Sequence, residues 1–153
     1  MSIQVIVVAS RARDPLASIA DEYLQRVSRV VRAEAFRVEA SRRGRKDDDD
    51  RLRTKEAELL LKRTGAAQLI ALDQRGSALS SEQLAKRLQQ WIAQGDVAFA
   101  IGGATGLHDS VLQRATFTLS LGPMTLPHRL ARLLLCEQLY RATAIWRNEP
   151  YHK

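Results

Sequence analysis

Three glycines, at positions 102, 103 and 106, directly follow the apolar segment Asp96–Ile101. Glycine lets a backbone turn sharply and lets a ligand approach main-chain N–H groups. In open α/β sheets, ligands bind at the carboxyl ends of the strands. The spacing matches neither the dinucleotide fingerprint nor the P-loop, which needs a Lys followed by Ser or Thr. The stretch therefore indicates either a ligand-binding loop or a plain strand-to-helix turn.

A second stiff loop, Gly122–Pro127, follows the apolar segment Thr116–Ser120. Its two prolines fix φ and so restrict the shapes that the loop can adopt. Pro127 suits the first turn of a final helix, with Thr125 as a nearby capping group. Together with Leu72, which ends another apolar run, the two loops predict one pocket for a nucleoside. The alternative is two unrelated loops.

The final predicted helix, His128–Arg147, carries two opposite charges on one face. Glu137 and Arg141 stand four residues apart, and an ordinary helix ion pair is the simplest interpretation of this spacing. After the helix comes the short tail that contains Tyr151 and His152. Such a tail usually frays, but Tyr and His rings also stack on bases or hydrogen-bond to them.

The chain has a formal net charge of +7, which favours a polyanionic partner bound through its phosphates. A basic cluster precedes the acidic run Asp47–Asp50, and the acidic run suits the start of a helix better than a cation site. The cluster is either a phosphate clamp or a solvated loop. Its basic residues are Arg42, Arg43, Arg45 and Lys46.

Other kinds of site are disfavoured. The three histidines and the single cysteine, Cys136, lack metal-ligand spacing, so no metal is expected. Cys136 lies in a leucine-rich segment and is interpreted as a small buried apolar residue. No apolar run reaches the length of a membrane helix, and the first residues do not form a signal peptide. We therefore expect a soluble, cytoplasmic protein with no membrane partner.

Apolar strands alternate with amphipathic helices, which predicts an α/β fold: one parallel sheet with helices on both faces, in a single domain over residues 1–153. A turn is expected at 74–77, between the third strand and the third helix. Predicted strands cover residues 3–9, 35–40, 68–73, 96–101 and 116–120. Predicted helices begin at Asp14 and cover 47–63, 80–92, 109–114 and 128–147.

Taken in order along the chain, these motifs closely resemble the RlmH family, bacterial ribosomal RNA large-subunit methyltransferases of the SPOUT class. The resemblance rests on an ordered set of segments. They are Leu72-Asp73-x-x-Gly76, Ile101-Gly102-Gly103-x-x-Gly106, Leu119-Ser120-Leu121-x-x-x-Thr125-Leu126-Pro127-His128, Glu137 to Ala142, and Tyr151-His152, with Lys55-Glu56 upstream.

The resemblance implies a C-terminal trefoil knot, S-adenosyl-L-methionine as cofactor and a homodimer. It also implies methylation at N3 of a pseudouridine in the helix-69 loop of 23S ribosomal RNA, on the assembled ribosome. The implied catalytic group is Arg141, which stabilises charge or orients a base, with Glu137 and His128 beside it. Tyr151 and His152 are implied on the substrate side, with the basic cluster. The implied cofactor contacts are Leu72, Gly103, Gly122, Pro123, Met124, Thr125, Leu126 and Pro127.

The sequence leaves three alternative functions open. A ribosome-associated protein that binds RNA without chemistry explains the charge but not the two loops. Another nucleotide-using α/β enzyme predicts metal dependence and carboxylates at strand ends, where Asp73 is the evident candidate. A SPOUT methyltransferase with a different RNA target fits the same motifs.

Overall fold

The computed structural model describes residues 1–39 and 48–153. The predicted cluster Arg42, Arg43, Arg45 and Lys46 lies outside the described residues. Within the described ranges, no helix combines the length and the apolar character needed to cross a membrane. The elements, in chain order, are β1 (Ile3–Ala9), α1 (Ala17–Ser28), β2 (Ala33–Glu39), α2 (Asp48–Thr64), β3 (Gln68–Ala78), α3 (Ser81–Gln94), β4 (Val97–Ile101), α4 (Asp109–Arg114), β5 (Phe117–Ser120) and α5 (His128–Trp146).

The described strands form one five-stranded sheet in the order β2-β1-β4-β3-β5, and all of its pairs are parallel. Parallel sheets are covered on both faces, so their central strands are apolar along their whole length. β4 follows this rule, because all five of its residues are buried. The predicted parallel α/β sheet is therefore confirmed.

Helices cover both faces of the sheet, as predicted. Ile3, Val5 and Val7 of β1 point to the face where α1, α3 and α5 pack. The alternate residues Ile6 and Val8 point to the opposite face, which α2 and α4 cover. This alternation is the two-residue period of a strand.

Two predicted boundaries shift. The first helix begins at Ala17 rather than at Asp14, whose carboxylate accepts the N–H of Leu16 at 2.9 Å and closes the turn before the helix. β2 begins at Ala33, two residues earlier than predicted, because main-chain pairing of Ala33 with Ile3 extends the strand. The predicted start of α3 is confirmed. Ser80 is its N-cap, in a reciprocal capping box with Gln83.

The predicted turn at residues 74–77 is wrong, because β3 continues through it as a bulged strand. Leu72 and Ser77 both pair with Leu119 of β5, so the residues between them leave the ladder. Gly76 closes this bulge against the neighbouring strand. A Cβ atom at Gly76 would lie 2.5 Å from the carbonyl oxygen of Thr118, so only glycine fits there without a backbone shift.

We predict that Gly76→Ala lowers the free energy of unfolding by about 1–3 kcal/mol, the usual cost of overpacking. Urea denaturation followed by circular dichroism measures the change. Gly103→Ala is the matched control, because its Cβ would make only an ordinary contact, 3.5 Å from Val8. Equal losses in the two variants would contradict the bulge as the cause.

Candidate active site

The carboxyl ends of β3, β4 and β5 meet at one edge of the sheet and enclose a cleft of about 350 Å³. This volume lies in the range of small-ligand sites. The cleft is lined by six of the eight residues predicted to contact the cofactor. They are Leu72, Gly103, Gly122, Met124, Thr125 and Leu126. The other two, Pro123 and Pro127, belong to the same loop but do not line the cleft.

One wall of the cleft is the glycine loop after β4. A Cβ atom at Gly102 would lie 2.6 Å from the carbonyl carbon of Gly106, so the loop folds tightly on itself. Gly106 has φ +77° and donates its N–H to the Gly103 carbonyl at 3.0 Å. All three glycines were predicted to form the loop, and the family resemblance implied only Gly103 as a cofactor contact, whereas the structure requires glycine at positions 102 and 106. Their spacing was the available signal.

The opposite wall, the loop 121–127, is tied to the β3 bulge by Gln74. The Gln74 amide donates to the Pro123 carbonyl at 2.6 Å and accepts the Thr125 hydroxyl hydrogen bond at 3.2 Å. Thr125 is therefore not a helix cap, and the N-cap position of α5 is Pro127, without a side-chain hydrogen bond. Sequence reasoning missed Gln74, because its partners lie about 50 residues further along the chain.

Asp73 and Arg75 form an ion pair at the mouth of the cleft. The Asp73 carboxylate accepts the main-chain N–H of Arg75 at 2.8 Å and its guanidinium at 3.0 and 3.1 Å. These hydrogen bonds hold the pKa of Asp73 below its ordinary range. The carboxylate is thus ionised but already engaged, which weakens its candidacy as a metal ligand.

His128 lines the same cleft from the first turn of α5. Burial, and then the charge of Arg129, lower its pKa, and Asp14 opposes them in part. The imidazole is therefore neutral at neutral pH. In that form it offers one donor and one acceptor.

Four further predicted site residues lie together in a second place, here called the tail cluster: Glu137, Arg141, Tyr151 and His152. Arg141 donates to Glu137 Oε1 through Nε at 3.1 Å and Nη2 at 2.6 Å. The Tyr151 hydroxyl also donates to Glu137 Oε1, at 3.1 Å. The tail therefore folds back on α5 rather than fraying.

Two protonation states in the tail cluster follow from these contacts. The hydrogen bond to Glu137 raises the pKa of Arg141, so the guanidinium is a permanent cation. Burial, and then the hydrogen bond to Glu137, raise the pKa of Tyr151 to about 12. Tyr151 is therefore a phenol at neutral pH and does not act as a base there.

None of the four residues of the tail cluster lines the cleft of its own chain. Glu137 and Arg141 follow His128 on α5 by about 13 Å and about 20 Å along the axis, at a rise of about 1.5 Å per residue. The structure therefore brings His128 to the cleft but leaves Glu137, Arg141, Tyr151 and His152 elsewhere.

An exposed apolar stripe runs along α5 toward the tail cluster. Leu130 and Leu134 are 40% and 42% exposed, and they lie one turn apart. At helical spacing they share a face with Glu137 and Arg141. Met124, on the rim of the cleft, is 79% exposed. Exposed apolar side chains one helical turn apart, such as Leu130 and Leu134, are candidates for an interaction surface.

The family model described as "predicted SPOUT methyltransferase" matches residues 1–152. A ribosomal RNA large subunit methyltransferase H of Dechloromonas aromatica is 39% identical over 154 residues, which cover 100% of this chain and 99% of the relative. A protein of the same name from an Anaeromyxobacter species is 44% identical over 155 residues, which cover 100% of this chain and 100% of the relative.

Two solved structures share the fold. A probable methylase family protein from Haemophilus influenzae superposes with a TM-score of 0.61 at 13% identity, over 99% of this chain and 70% of its own. A probable methyltransferase from Bordetella pertussis gives a TM-score of 0.58 at 14% identity, over 92% of this chain and 95% of its own.

We predict that Gln74→Ala loosens the loop 121–127 and raises the Kd for S-adenosyl-L-methionine about 3- to 10-fold, because one or two hydrogen bonds are lost. Isothermal titration calorimetry measures the change. Gln113→Ala, at an exposed position of α4, is the control and should bind normally. Unchanged affinity of Gln74→Ala would show that the loop holds its shape without this tie.

Proposed function

Because the chain belongs to the SPOUT methyltransferase family, as one of its ribosomal RNA large subunit methyltransferase H members, we propose that it methylates large-subunit ribosomal RNA. The enzyme transfers a methyl group from S-adenosyl-L-methionine to N3 of a pseudouridine in 23S ribosomal RNA. Residues 1–153 act as one catalytic domain. Within the ribosome, the target is the helix-69 loop, and the reaction takes place where ribosomes are, in the cytoplasm.

The observation that carries this proposal is the cleft at the strand ends, built from the family's own segments. The cleft is lined by apolar side chains, such as Leu72, Leu121 and Leu126, and by the main chain at the glycines. A flat nucleoside base needs apolar walls and a few fixed hydrogen-bonding groups, often from the backbone. The charges of Asp73 and Arg75 offset each other, so the cleft accepts a cofactor that carries a cationic centre.

Bound S-adenosyl-L-methionine supplies a methyl group on a sulfonium, already activated for transfer. The residues of the chain therefore have two tasks: to align the reacting nitrogen and to keep water out. The cleft walls are held in place by Gln74 and the tight glycine loop, and they orient the cofactor for attack by this nitrogen. Neutral His128 adds a hydrogen-bonding group without adding positive charge.

The pseudouridine imide is a poor nucleophile until N3 loses its proton, so the site must stabilise the resulting anion. Arg141 fits this role because it is always cationic. A guanidinium has five N–H donors, and the hydrogen bonds of Arg141 within the described residues use Nε, one hydrogen of Nη2 and one of Nη1. The proposal assigns the remaining N–H donors to substrate oxygens. Glu137 orients Arg141, and Tyr151 orients Glu137.

A homodimer completes this site. Arg141 of the tail cluster follows His128 by about 20 Å along α5 but lies on the same helix face as Leu130 and Leu134. Pairing of these apolar stripes between two copies buries them, and it places the tail cluster of one subunit toward the cleft of the other. A C-terminal trefoil knot is part of the same proposal. Its support is that α5 leaves the loop 121–127, tied to the β3 bulge, and then packs on both α1 and α3.

RNA binding adds to this arrangement through charge. The net charge of +7 provides long-range attraction to phosphates. We include Arg42, Arg43, Arg45 and Lys46 among the phosphate-binding residues, with Tyr151 and His152 closer to the target base.

The first test is radiolabelled methyl transfer from S-adenosyl-L-methionine to ribosomes from cells that lack this gene, followed by mapping of the labelled nucleotide. We expect label on the helix-69 pseudouridine. Label elsewhere in RNA would retain the methyltransferase and overturn the substrate. No label on intact ribosomes, free subunits or naked RNA, despite cofactor binding, would overturn the proposed reaction.

Mixing two inactive variants tests the shared site. Arg141→Ala damages the tail cluster, and Gly122→Val strains a cleft loop whose φ is +127°. Random pairing gives mixed dimers in half of the cases, each with one intact site, so we expect the mixture to regain about a quarter of wild-type activity. Mixed Arg141→Ala and Glu137→Ala subunits are the control. Both of their defects lie in the tail cluster, so they should stay inactive. Failure of the first mixture to gain activity would place each site within one subunit.

A further inference from the structure

The imidazole of His152 is held between two helices. Its Nε2 lies 2.8 Å from Glu82 Oε1, at the start of α3. Its Nδ1 lies 3.1 Å from Nη1 of Arg141, on α5. The last turn of the chain therefore links a carboxylate on one helix to the proposed anion-stabilising group on another.

These two contacts determine which ring nitrogen carries the proton. A guanidinium only donates hydrogen bonds, so His152 Nδ1 must accept and is unprotonated. A carboxylate only accepts, so His152 Nε2 must carry the proton and donate it to Glu82. The hydrogen bond from His152 also lowers the pKa of Glu82, which keeps the carboxyl ionised and accepting at neutral pH.

We propose that Glu82 is a positioning residue for methyl transfer, which holds His152 in the Nε2–H tautomer and thereby fixes the guanidinium of Arg141. The proposal rests on the function assigned to Arg141 above. Glu137 binds Arg141 through Nε and Nη2, and His152 binds it through Nη1. The guanidinium is thus held from two sides, and its plane cannot rotate while both partners accept.

Loss of Glu82 removes one of the two groups that select the tautomer, and the only acceptor among them. The Nδ1–H form then becomes available, and it would place a ring N–H against an N–H of Arg141. The contact would break, and Arg141 would keep its hydrogen bonds to Glu137 and its position 4.9 Å from the centre of the Tyr151 ring. The carboxylate of Glu137 and the phenol of Tyr151 also lie near the ring, but the His152 nitrogens bond to Arg141 and Glu82 instead.

Glu82 contributes little to stability, which makes the proposal testable in a folded protein. Its side chain is 64% exposed, and exposed pairs contribute little to the free energy of unfolding. The N-cap of α3 is Ser80 with Gln83, so the helix start does not depend on Glu82.

The first measurement is the ¹⁵N chemical shifts of the His152 ring at neutral pH, assigned by their loss in His152→Gln. In the wild-type protein we expect a protonated Nε2 and an unprotonated Nδ1. In Glu82→Ala we expect a mixture of tautomers. Glu82→Gln, which retains an acceptor oxygen, should restore the wild-type pattern. Glu58→Ala, an exposed carboxylate on the opposite face of the sheet, is the control and should change nothing.

The second measurement is methyl transfer by the same variants. We expect kcat to fall about 10-fold in Glu82→Ala, with an unchanged KM for S-adenosyl-L-methionine, and to recover in Glu82→Gln. An Nδ1–H or doubly protonated ring in the wild-type protein would overturn the proposal. So would a tautomer unaffected by Glu82→Ala, or a tautomer change without a change in kcat. The shifts are measured on the protein alone, so they are independent of the substrate assignment.

Discussion

The parallel pairing of β3 with two strands at once is the constraint on which the site depends. Ile70 pairs with Phe99 of β4 on one side and with Phe117 of β5 on the other. Because all three strands run in the same direction, the segments that follow them emerge at one edge of the sheet. The bulge after Leu72 then brings Gln74 within reach of the loop after β5. Without this pairing, the two loops that form the cleft walls would not emerge at the same edge of the sheet.

Local sequence signals predicted the elements that local physics determines. β4 is apolar at every position because both of its faces are covered, and α3 begins where Ser80 and Gln83 can cap each other. The bulge in β3 could not be predicted in this way. Gln74 to Ser77 is polar and glycine-containing, which locally indicates a turn, but main-chain pairing with β5 keeps the chain extended. The hydrogen bonds of Gln74 also join segments that are far apart in the sequence, so local signals could not predict them.

The predicted site residues were identified as one set, but the structure divides them between two places. Helical geometry alone already separates His128 from Arg141 by about 20 Å, so no rearrangement of side chains within one chain can join them. The proposed homodimer answers this separation, because the cleft and the tail cluster of one site would come from different copies. In that proposal the exposed Leu130 and Leu134 have a function, since burial against a second chain removes apolar area from water.

The polar contacts of the tail cluster contribute more to orientation than to stability. Arg141 and Glu137 are 25% and 17% exposed, so part of their attraction is screened by water. Yet Glu137 Oε1 accepts hydrogen bonds from both Arg141 and Tyr151, and His152 holds the other end of the guanidinium. A cation held in this way needs little reorganisation when negative charge develops next to it, and that is where preorganised electrostatic groups accelerate a reaction most. The cost is entropic and is met on folding, when the tail docks against α5, rather than in the transition state.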